Sequence, residues 1–250
     1  MDLTVITGWS PDGYHLYGRN FMEGFTRHWP ADVRLVTYVE KREGLKRAEE
    51  ILIQDLPEVT DFLARHRGNM EAKGIEPNDR WGPKSLQHGY DYRFDAYRFG
   101  RVPLYIRHAA HEVGEGRMIW LDGDVMTFAP VTEDLIDRVL PEGVAVSYLG
   151  RVAKHSEIGF QGYRLPDALP FIDEFADWYA TDSFLRLHEW HTAYCFDRTA
   201  DGFPGLCRTL TPEGKKHVWF QSPLGEAMDH LKGERRKKLG RSPERPENAA

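Results

Sequence analysis

The start of the chain alternates strand, helix and strand, and this order constrains the fold more than any other feature. Residues 3–7 and 33–39 are rich in β-branched side chains, while residues 14–29 carry aromatic side chains at helical spacing and end before a proline. A helix that connects two successive strands places those strands parallel in one sheet. We therefore expect an α/β fold with a Rossmann-like, mixed but mostly parallel sheet flanked by helices.

The composition narrows the class of protein further. The 250 residues include 41% hydrophobic side chains and carry a net charge of -6, which suits one globular domain and argues against a general nucleic-acid binder. Cys195 and Cys207 show neither metal nor disulfide spacing, and we read no leader peptide, so we expect a cytoplasmic protein. No apolar run approaches the roughly 20 residues of a membrane helix. We assign residues 1–240 to one domain and residues 241–250 to a disordered tail.

Two later stretches are predicted to be helical. Residues 41–80 are charged and helical in character, and residues 84–110 form a long helical region in which Pro103 kinks the helix or begins a second one. Charged residues alternate with aromatic ones in that region, and for most of them a solvated face is the simpler interpretation. The charged residues of this group are Arg93, Asp95, Arg98 and Arg101.

A buried strand that ends in two carboxylates is the strongest functional feature. The apolar run 118–121 leads into Asp122, Gly123 and Asp124. Because an unpaired carboxylate is costly to bury, such residues usually lie at the mouth of a strand, paired or bound to a metal. Two hard oxygen ligands suit Mg²⁺ or Mn²⁺ that also binds a diphosphate. The same three residues would also fit an ordinary surface turn.

Two further segments are expected near this pair of carboxylates. The loop after the first strand begins around Thr7, Gly8 and Trp9, at the carboxyl edge where open α/β sheets bind ligands. Near the end of the chain, His230 precedes a basic run; it would give a metal its third ligand, and the cations would neutralise the diphosphate. This end could equally be a surface histidine beside a solvated basic face, or a contact for nucleic acid.

Two motifs resemble those of known enzymes. The segment Trp120–Asp124 is similar to the Asp-x-Asp motif of nucleotide-sugar glycosyltransferases with the GT-A fold. The segment His230–Gly233, followed by Lys237, resembles the His-x-x-Gly-x-x-Lys ending of the glycogenin-like retaining group. One extra residue precedes Lys237 here, so that Arg236 lies at the spacing of the family's lysine.

The resemblance implies a GT-A-like domain with a donor-binding half over residues 1–150 and an acceptor-side half over residues 151–240. Asp122, Asp124 and His230 would hold Mn²⁺ or Mg²⁺. The residues expected to contact the nucleotide-sugar donor are Thr7, Gly8, Trp9, Arg93, Asp95, Asp122, Lys232, Gly233, Arg236 and Lys237.

The acceptor side is expected between Glu157 and His191. Glu157, Glu189 or His191 could act as a general base if the transfer inverts configuration, although such residues are more often structural. His191 could equally accompany Trp190 in the core. The acceptor would be a hydroxyl group of a saccharide or of a hydroxylated base in DNA, and such a base would stack on aromatic side chains. The aromatic candidates for this stacking are Trp81, Trp190 and Trp219.

The sequence therefore predicts a metal-dependent glycosyltransferase, a hexosyltransferase for which a UDP-sugar is the favoured donor. Two alternatives from other classes stay open. One is a catalytically silent α/β module that binds nucleic acid through its basic end, although the net charge of -6 argues against this as the main role. The other is a nucleotidyltransferase, which would release pyrophosphate instead of a nucleoside diphosphate.

Overall fold

A seven-stranded mixed sheet organises the chain in the computed structural model, which describes residues 1–75, 89–152, 154–211 and 218–233. The strands of the chain are β1 (Leu3–Trp9), β2 (Arg34–Val39), β3 (Glu49–Leu52), β4 (Gly116–Leu121), β5 (Val125–Thr127), β6 (Val146–Leu149), β7 (Glu157–Leu165), β8 (Cys207–Thr209) and β9 (Met228–His230). The large sheet has the order β3-β2-β1-β4-β7-β6-β8, and β5 pairs with β9 in a small second sheet.

Parallel pairing dominates the large sheet. Strands β3, β2, β1 and β4 are successive parallel neighbours, β7 runs antiparallel to β4 and β6, and β8 is parallel to β6. In the middle of the sheet, Ile6 of β1 lies beside Val36 of β2 and Trp120 of β4. The expected mixed, mostly parallel α/β sheet is confirmed. The chain runs outward from β1 to β2 and β3 and then returns to β4 on the other side of β1. Because the strand order reverses there, a crevice opens at the carboxyl ends of β1 and β4.

Helices cover both faces of this sheet. The helices are α1 (Pro11–Gly13), which continues through a π-helical turn (Tyr14–Gly18) into α2 (Arg19–His28), then α3 (Pro57–His66), α4 (Ala96–Phe99), α5 (Arg101–Val113), α6 (Glu133–Val139), α7 (Leu169–Ala180) and α8 (Thr192–Gly202). Apolar residues of α3, α5, α7 and α8 form one core layer, and those of α2 and α6 form the other. Along β4, Met118 and Trp120 enter the first layer while Ile119 and Leu121 enter the second, as strand alternation requires. Among the described residues, no helix combines the length and apolar character needed to cross a bilayer.

The stretch 41–80 differs from its helical prediction. Within it the structure has one α-helix, α3, and also the edge strand β3, which pairs parallel with β2. On this edge, Arg34 Nη2 lies 2.7 Å from Glu49 Oε2. Charged side chains on an exposed edge strand discourage pairing with other molecules, and they resemble the charged face of a helix in sequence. Residues 76–80 lie outside the described part of the chain.

The long helix predicted over residues 84–110 is divided into shorter elements, and residues 84–88 lie outside the described range. Asp91 accepts a hydrogen bond from the Arg93 backbone N–H at 3.0 Å, and Asp95 accepts one from the Arg98 backbone N–H at 3.0 Å. Each carboxylate therefore caps the start of a new helical turn. Pro103 lies in the first turn of α5, which confirms that a separate helix begins here.

The small sheet joins distant parts of the chain. Val125 pairs with His230 and Thr127 pairs with Met228, so the carboxyl-terminal segment lies beside the strand that follows Asp124. Helix α2 packs on this sheet, and Trp29 Nε1 donates a buried hydrogen bond of 3.0 Å to Thr127 Oγ1. These three-residue strands carry no alternating pattern long enough to be recognised in the sequence.

The packing of α2 on β5 gives the first testable prediction. A Cβ atom at Gly24 would lie 2.6 Å from the Thr127 carbonyl oxygen, so Gly24→Ala forces the helix away from the strand. We expect the substitution to lower the free energy of unfolding by about 1–3 kcal/mol, measured by urea denaturation, despite the better helix propensity of alanine.

The matched control for this prediction is Gly202→Ala at the end of α8. A Cβ atom at Gly202 would meet no heavy atom within 4 Å, so this variant should be as stable as the parent or slightly more stable. Equal stability of the two variants would contradict the close approach of α2 and β5.

Candidate functional site

A cleft of about 1070 Å³ opens at the carboxyl ends of β1 and β4. Its walls come from the end of β1, the start of α5, the loop after β4, residues 151 and 154–158, the start of α8 and the segment 230–233. The cleft therefore lies at the edge where an open α/β sheet binds ligands. Asp122, Asp124 and His230 line it together.

Backbone and side-chain hydrogen bonds fix Asp122 at the mouth of β4. Its backbone N–H donates to the Gly159 carbonyl at 2.9 Å, and its carbonyl accepts from Val125 at 2.9 Å. The Trp120 indole N–H donates to Asp122 Oδ1 at 2.9 Å. The other carboxylate oxygen, Oδ2, faces His230 Nε2 at 3.6 Å. The turn after β4 thus presents Asp122 in one orientation.

His230 approaches the two aspartates from the second sheet. Its Nε2 lies 2.9 Å from Asp124 Oδ1, and the backbone N–H of Leu231 donates to the Asp124 carbonyl at 3.1 Å. The pairing of Val125 in β5 with His230 in β9 fixes the histidine beside the turn that carries the two aspartates. A sequence separation of 106 residues is therefore closed by a short antiparallel ladder.

Glu157 lies behind His230. Its side chain is 4% exposed, and Oε1 lies 3.2 Å from His230 Nδ1. Its other oxygen, Oε2, lies 3.4 Å from Lys232 Nζ and also contacts the Arg151 guanidinium. Each ring nitrogen of His230 therefore faces a carboxylate. A carboxylate on the second nitrogen of a metal-binding histidine fixes the tautomer and orients the ring.

The charges of this group respond to one another. Burial lowers the pKa of His230, but Asp124 and Glu157 outweigh burial and raise that pKa to about 10. Burial raises the pKa of Asp122 to about 6, with His230 opposing the shift and Asp124 adding to it. Burial also raises the pKa of Glu157, but His230, Lys232 and Arg151 hold it well below its usual range. The carboxylates thus hold a proton on His230 strongly, which indicates a site that favours a cation.

Two glycines allow the close approach that this arrangement needs. A Cβ atom at Gly159 would lie 2.6 Å from His230 Cε1 and 3.3 Å from Asp122 Oδ2. A Cβ atom at Gly123 would lie 3.1 Å from the Gly8 carbonyl oxygen. Any larger side chain at Gly159 would displace the histidine, which explains why glycine stands opposite it in β7.

A second polar group reaches the cleft through His155 and His191. His155 Nε2 and His191 Nε2 lie 3.1 Å and 2.9 Å from the same oxygen of Glu189, Oε2. Burial lowers the pKa of His191, against the opposing effect of Glu189. The structure therefore brings together two predicted acceptor-side residues, Glu189 and His191, and adds His155. No local spacing in the sequence marks His155, which meets Glu189 from 34 positions away.

The residues expected to contact a donor divide into two sets. Gly8, Trp9, Lys232 and Gly233 line the cleft with Asp122. The remaining expected residues within the described ranges, Thr7, Arg93 and Asp95, are absent from its walls. Arg236 and Lys237 lie outside the described residues.

The charged group near α4 explains this division. Arg93 forms an ion pair with Asp91 at 2.6 Å, and Asp95 caps α4 while accepting a hydrogen bond of 2.7 Å from the Tyr90 hydroxyl. Arg98 and Arg101 reach the cleft instead. The further cations on its walls are Arg151, Lys154 and Lys232.

The tryptophans expected to stack on an acceptor are packed within the protein. Trp190 is buried and contacts Phe94 with a centroid distance of 5.3 Å. Trp219 is buried and lies 5.3 Å from the His230 ring. Trp81 lies outside the described residues. Tyr92 also lines the cleft; it is 55% exposed, and its ring lies 5.5 Å from the His191 ring.

Solved structures identify the fold. A crystal structure of a glycosyltransferase involved in the glycosylation of the major capsid of PBCV-1 aligns with a TM-score of 0.54 at 11% identity, covering 96% of this chain and 100% of that chain. Mouse xyloside xylosyltransferase 1, in its apo form, aligns with a TM-score of 0.51 at 10% identity, covering 84% and 86%. The expected GT-A-like fold is thereby confirmed. No protein-family profile matches the sequence, and a comparison with curated proteins gives no significant match.

The chemistry of the Asp122, Asp124 and His230 group fits a divalent cation. One ligand atom from each side chain lies within 4.8 Å of the others. Two carboxylate oxygens and one imidazole nitrogen are ligands that Mn²⁺ and related ions accept, and Glu157 supplies the outer hydrogen bond. The group is thus a candidate metal site with its supporting contact already in place.

The contact between Glu157 and His230 gives the second prediction. Glu157→Gln keeps the size of the side chain but removes the negative charge that orients and polarises the imidazole. We expect the affinity for a divalent cation, probed with Mn²⁺ by isothermal titration calorimetry, to fall roughly 10- to 100-fold.

Glu142→Gln provides the matched control, because Glu142 is exposed on the surface. This variant should bind the probe ion as the parent does. An unchanged dissociation constant for Glu157→Gln in a folded protein would contradict the role of Glu157 as the positioning residue of His230.

Proposed function

We propose that this chain is a divalent-metal-dependent glycosyltransferase that uses a nucleoside-diphosphate sugar. The observation that carries the proposal is the convergence of Asp122, Asp124 and His230 at the ligand-binding edge of the sheet. Both structural neighbours described above are glycosyltransferases, which supports this reaction class. Two partly exposed carboxylates beside one buried histidine suit a metal-bound diphosphate far better than an apolar ligand.

The proposed metal ligands are Asp122, Asp124 and His230, with Mn²⁺ or Mg²⁺ as the ion. When bound, such an ion neutralises negative charge on the departing diphosphate. Glu157 keeps the His230 ring turned towards the aspartates. The indole of Trp120 holds one oxygen of Asp122, so that the other oxygen stays directed at His230.

The proposed donor contacts follow the cleft from the end of β1. Gly8 and Trp9 line its wall, where the backbone at the end of β1 suits the nucleoside. Trp9 itself is only 6% exposed, and its ring packs against Tyr14 and Phe21. Lys232 is 62% exposed and lines the cleft beside the metal ligands, where its ammonium group suits a diphosphate oxygen. A UDP-sugar stays the favoured donor, and a hexosyl group stays the favoured transferred sugar.

The acceptor is proposed to enter along the wall formed by Tyr92, His155 and His191. The exposed ring of Tyr92 suits an acceptor that presents a ring face, either a saccharide or a hydroxylated base. Of the three base candidates, Glu157 is buried and engaged with His230, so it suits a positioning role. Glu189 and His191 stay the candidates on the acceptor side.

Removal of one carboxylate tests the proposal. Asp124→Asn should lower Mn²⁺-dependent hydrolysis of UDP-sugars by about 100-fold or more, because metal stabilisation of the leaving group is worth several kcal/mol. Nucleoside diphosphate release measures the reaction, and a thermal-shift screen of UDP-, GDP- and CMP-sugars with and without Mn²⁺ first selects the donor.

Asp134→Asn serves as the control, since the Asp134 side chain is 80% exposed on α6. It should retain the parent's rate. Unchanged turnover in Asp124→Asn would exclude the proposed metal site, and pyrophosphate as the product would identify a nucleotidyltransferase instead.

A further inference from the structure

A second group of side chains at the cleft differs in chemistry from the aspartate site. His155 and His191 direct their Nε2 atoms at Oε2 of Glu189, at 3.1 Å and 2.9 Å. One ligand atom from each of the three lies within 4.8 Å of the others. Their donor set is two imidazole nitrogens and one carboxylate oxygen, whereas the aspartate site offers two oxygens and one nitrogen.

These separations match the edges of a small coordination polyhedron. With metal bonds of about 2.0–2.1 Å, neighbouring ligand atoms of a tetrahedral zinc site lie about 3.4 Å apart. The two observed distances to Glu189 fall slightly below this value. The imidazole rings meet edge to face with a centroid distance of 5.0 Å, so both nitrogens can face one point without overlap. Little movement would therefore convert the group into a metal site.

An outer contact supports one of these ligands. His155 Nδ1 lies 3.4 Å from Asp197 Oδ2, so the nitrogen that points away from Glu189 faces a carboxylate. Asp197 is itself fixed, because Ser156 donates to it through its backbone N–H at 3.2 Å and its hydroxyl at 2.5 Å. Metal-binding histidines commonly have such an outer carboxylate.

The backbone around the other two ligands is also held. The carbonyl of Arg93 accepts hydrogen bonds from Trp190 at 2.7 Å and from His191 at 3.1 Å. This anchors the segment that carries Glu189 and His191. A metal site needs ligands on rigid supports. This anchored segment carries two of the three ligands, and Asp197 of α8 contacts His155, the third.

We propose that His155, Glu189 and His191 form a second metal site that binds Zn²⁺, with its fourth position open to the cleft. Two imidazoles and one carboxylate are the protein ligands of many zinc sites that keep an exchangeable position. His155 and His191 both line the cleft, so a ligand at that position would enter from the cleft. The two sites thus favour different ions. The aspartate site has mostly oxygen ligands, which suit Mn²⁺, and the site of His155, Glu189 and His191 has mostly nitrogen ligands, which suit Zn²⁺.

A role for the zinc ion in binding the acceptor would extend the proposed function, and that role rests on the proposed function. An acceptor hydroxyl at the fourth position would become more acidic, as water does on zinc. Glu189 and His191 would then act as zinc ligands and not as a free general base. Binding of Zn²⁺ itself does not depend on the sugar-transfer proposal.

Metal titration of the full chain tests the site. In metal-free Asp122→Asn/Asp124→Asn protein, which lacks the aspartate ligands, we expect one equivalent of Zn²⁺ to bind in competition with a chromophoric chelator. Co²⁺ in its place should give the strong visible absorption of four-coordinate cobalt. In the same background, His155→Gln should weaken Zn²⁺ binding at least tenfold, and Asp197→Asn should weaken it roughly 10- to 100-fold.

His188→Gln is the matched control, because His188 is exposed and lies next to Glu189 in the chain. It should leave the titration unchanged. Absence of stoichiometric Zn²⁺ binding would overturn the proposal, as would binding that His155→Gln leaves unaltered. Either result would assign these residues to a hydrogen-bonded network.

Two further measurements test the zinc site even if the double variant does not fold. If the double background does not fold, the wild-type chain should lose one of its Zn²⁺ equivalents on His155→Gln, a partly exposed position where the side chain is 37% exposed. Melting temperatures of the metal-free proteins verify folding. Because the titration uses no sugar nucleotide, failure of the Asp124→Asn activity test would leave its result intact.

Discussion

The contact of His230 with carboxylates on both of its ring nitrogens is the interaction on which the site depends. The histidine is buried, and an unpaired buried charge would cost several kcal/mol. Asp124 and Glu157 offset that cost, Asp124 from the turn between β4 and β5 and Glu157 from the start of β7. The same interaction therefore closes the carboxyl-terminal segment onto the protein and sets the orientation of a candidate metal ligand.

The large sheet makes this contact possible. Antiparallel β7 lies beside β4 and begins at Glu157, so the two strands carry their carboxylates to the same edge. Gly159 gives the histidine room between them. Because β7 runs antiparallel to β4, residues from the second half of the chain lie at the carboxyl edge of the parallel strands, where ligands bind.

Much of the fold could be predicted from the sequence because hydrophobic periodicity is a local property. The β-α-β start, the strand before Asp122 and the helix after Thr132 follow from that periodicity and from capping. The edge strand β3 could not be recognised, since its charged residues imitate a helix surface. The helix predicted from residue 84 was too long because Asp91 and Asp95 cap new turns within the described part of it.

For the site, too, the sequence predicts features set by neighbouring residues and misses those set by tertiary packing. The aspartate pair is visible as a motif, whereas the direction of a side chain depends on packing. Among neighbouring charges, Arg98 rather than Arg93 reaches the cleft because Asp91 holds Arg93 in an ion pair. The group around Glu189 is less visible still, since His155 joins it through tertiary structure alone.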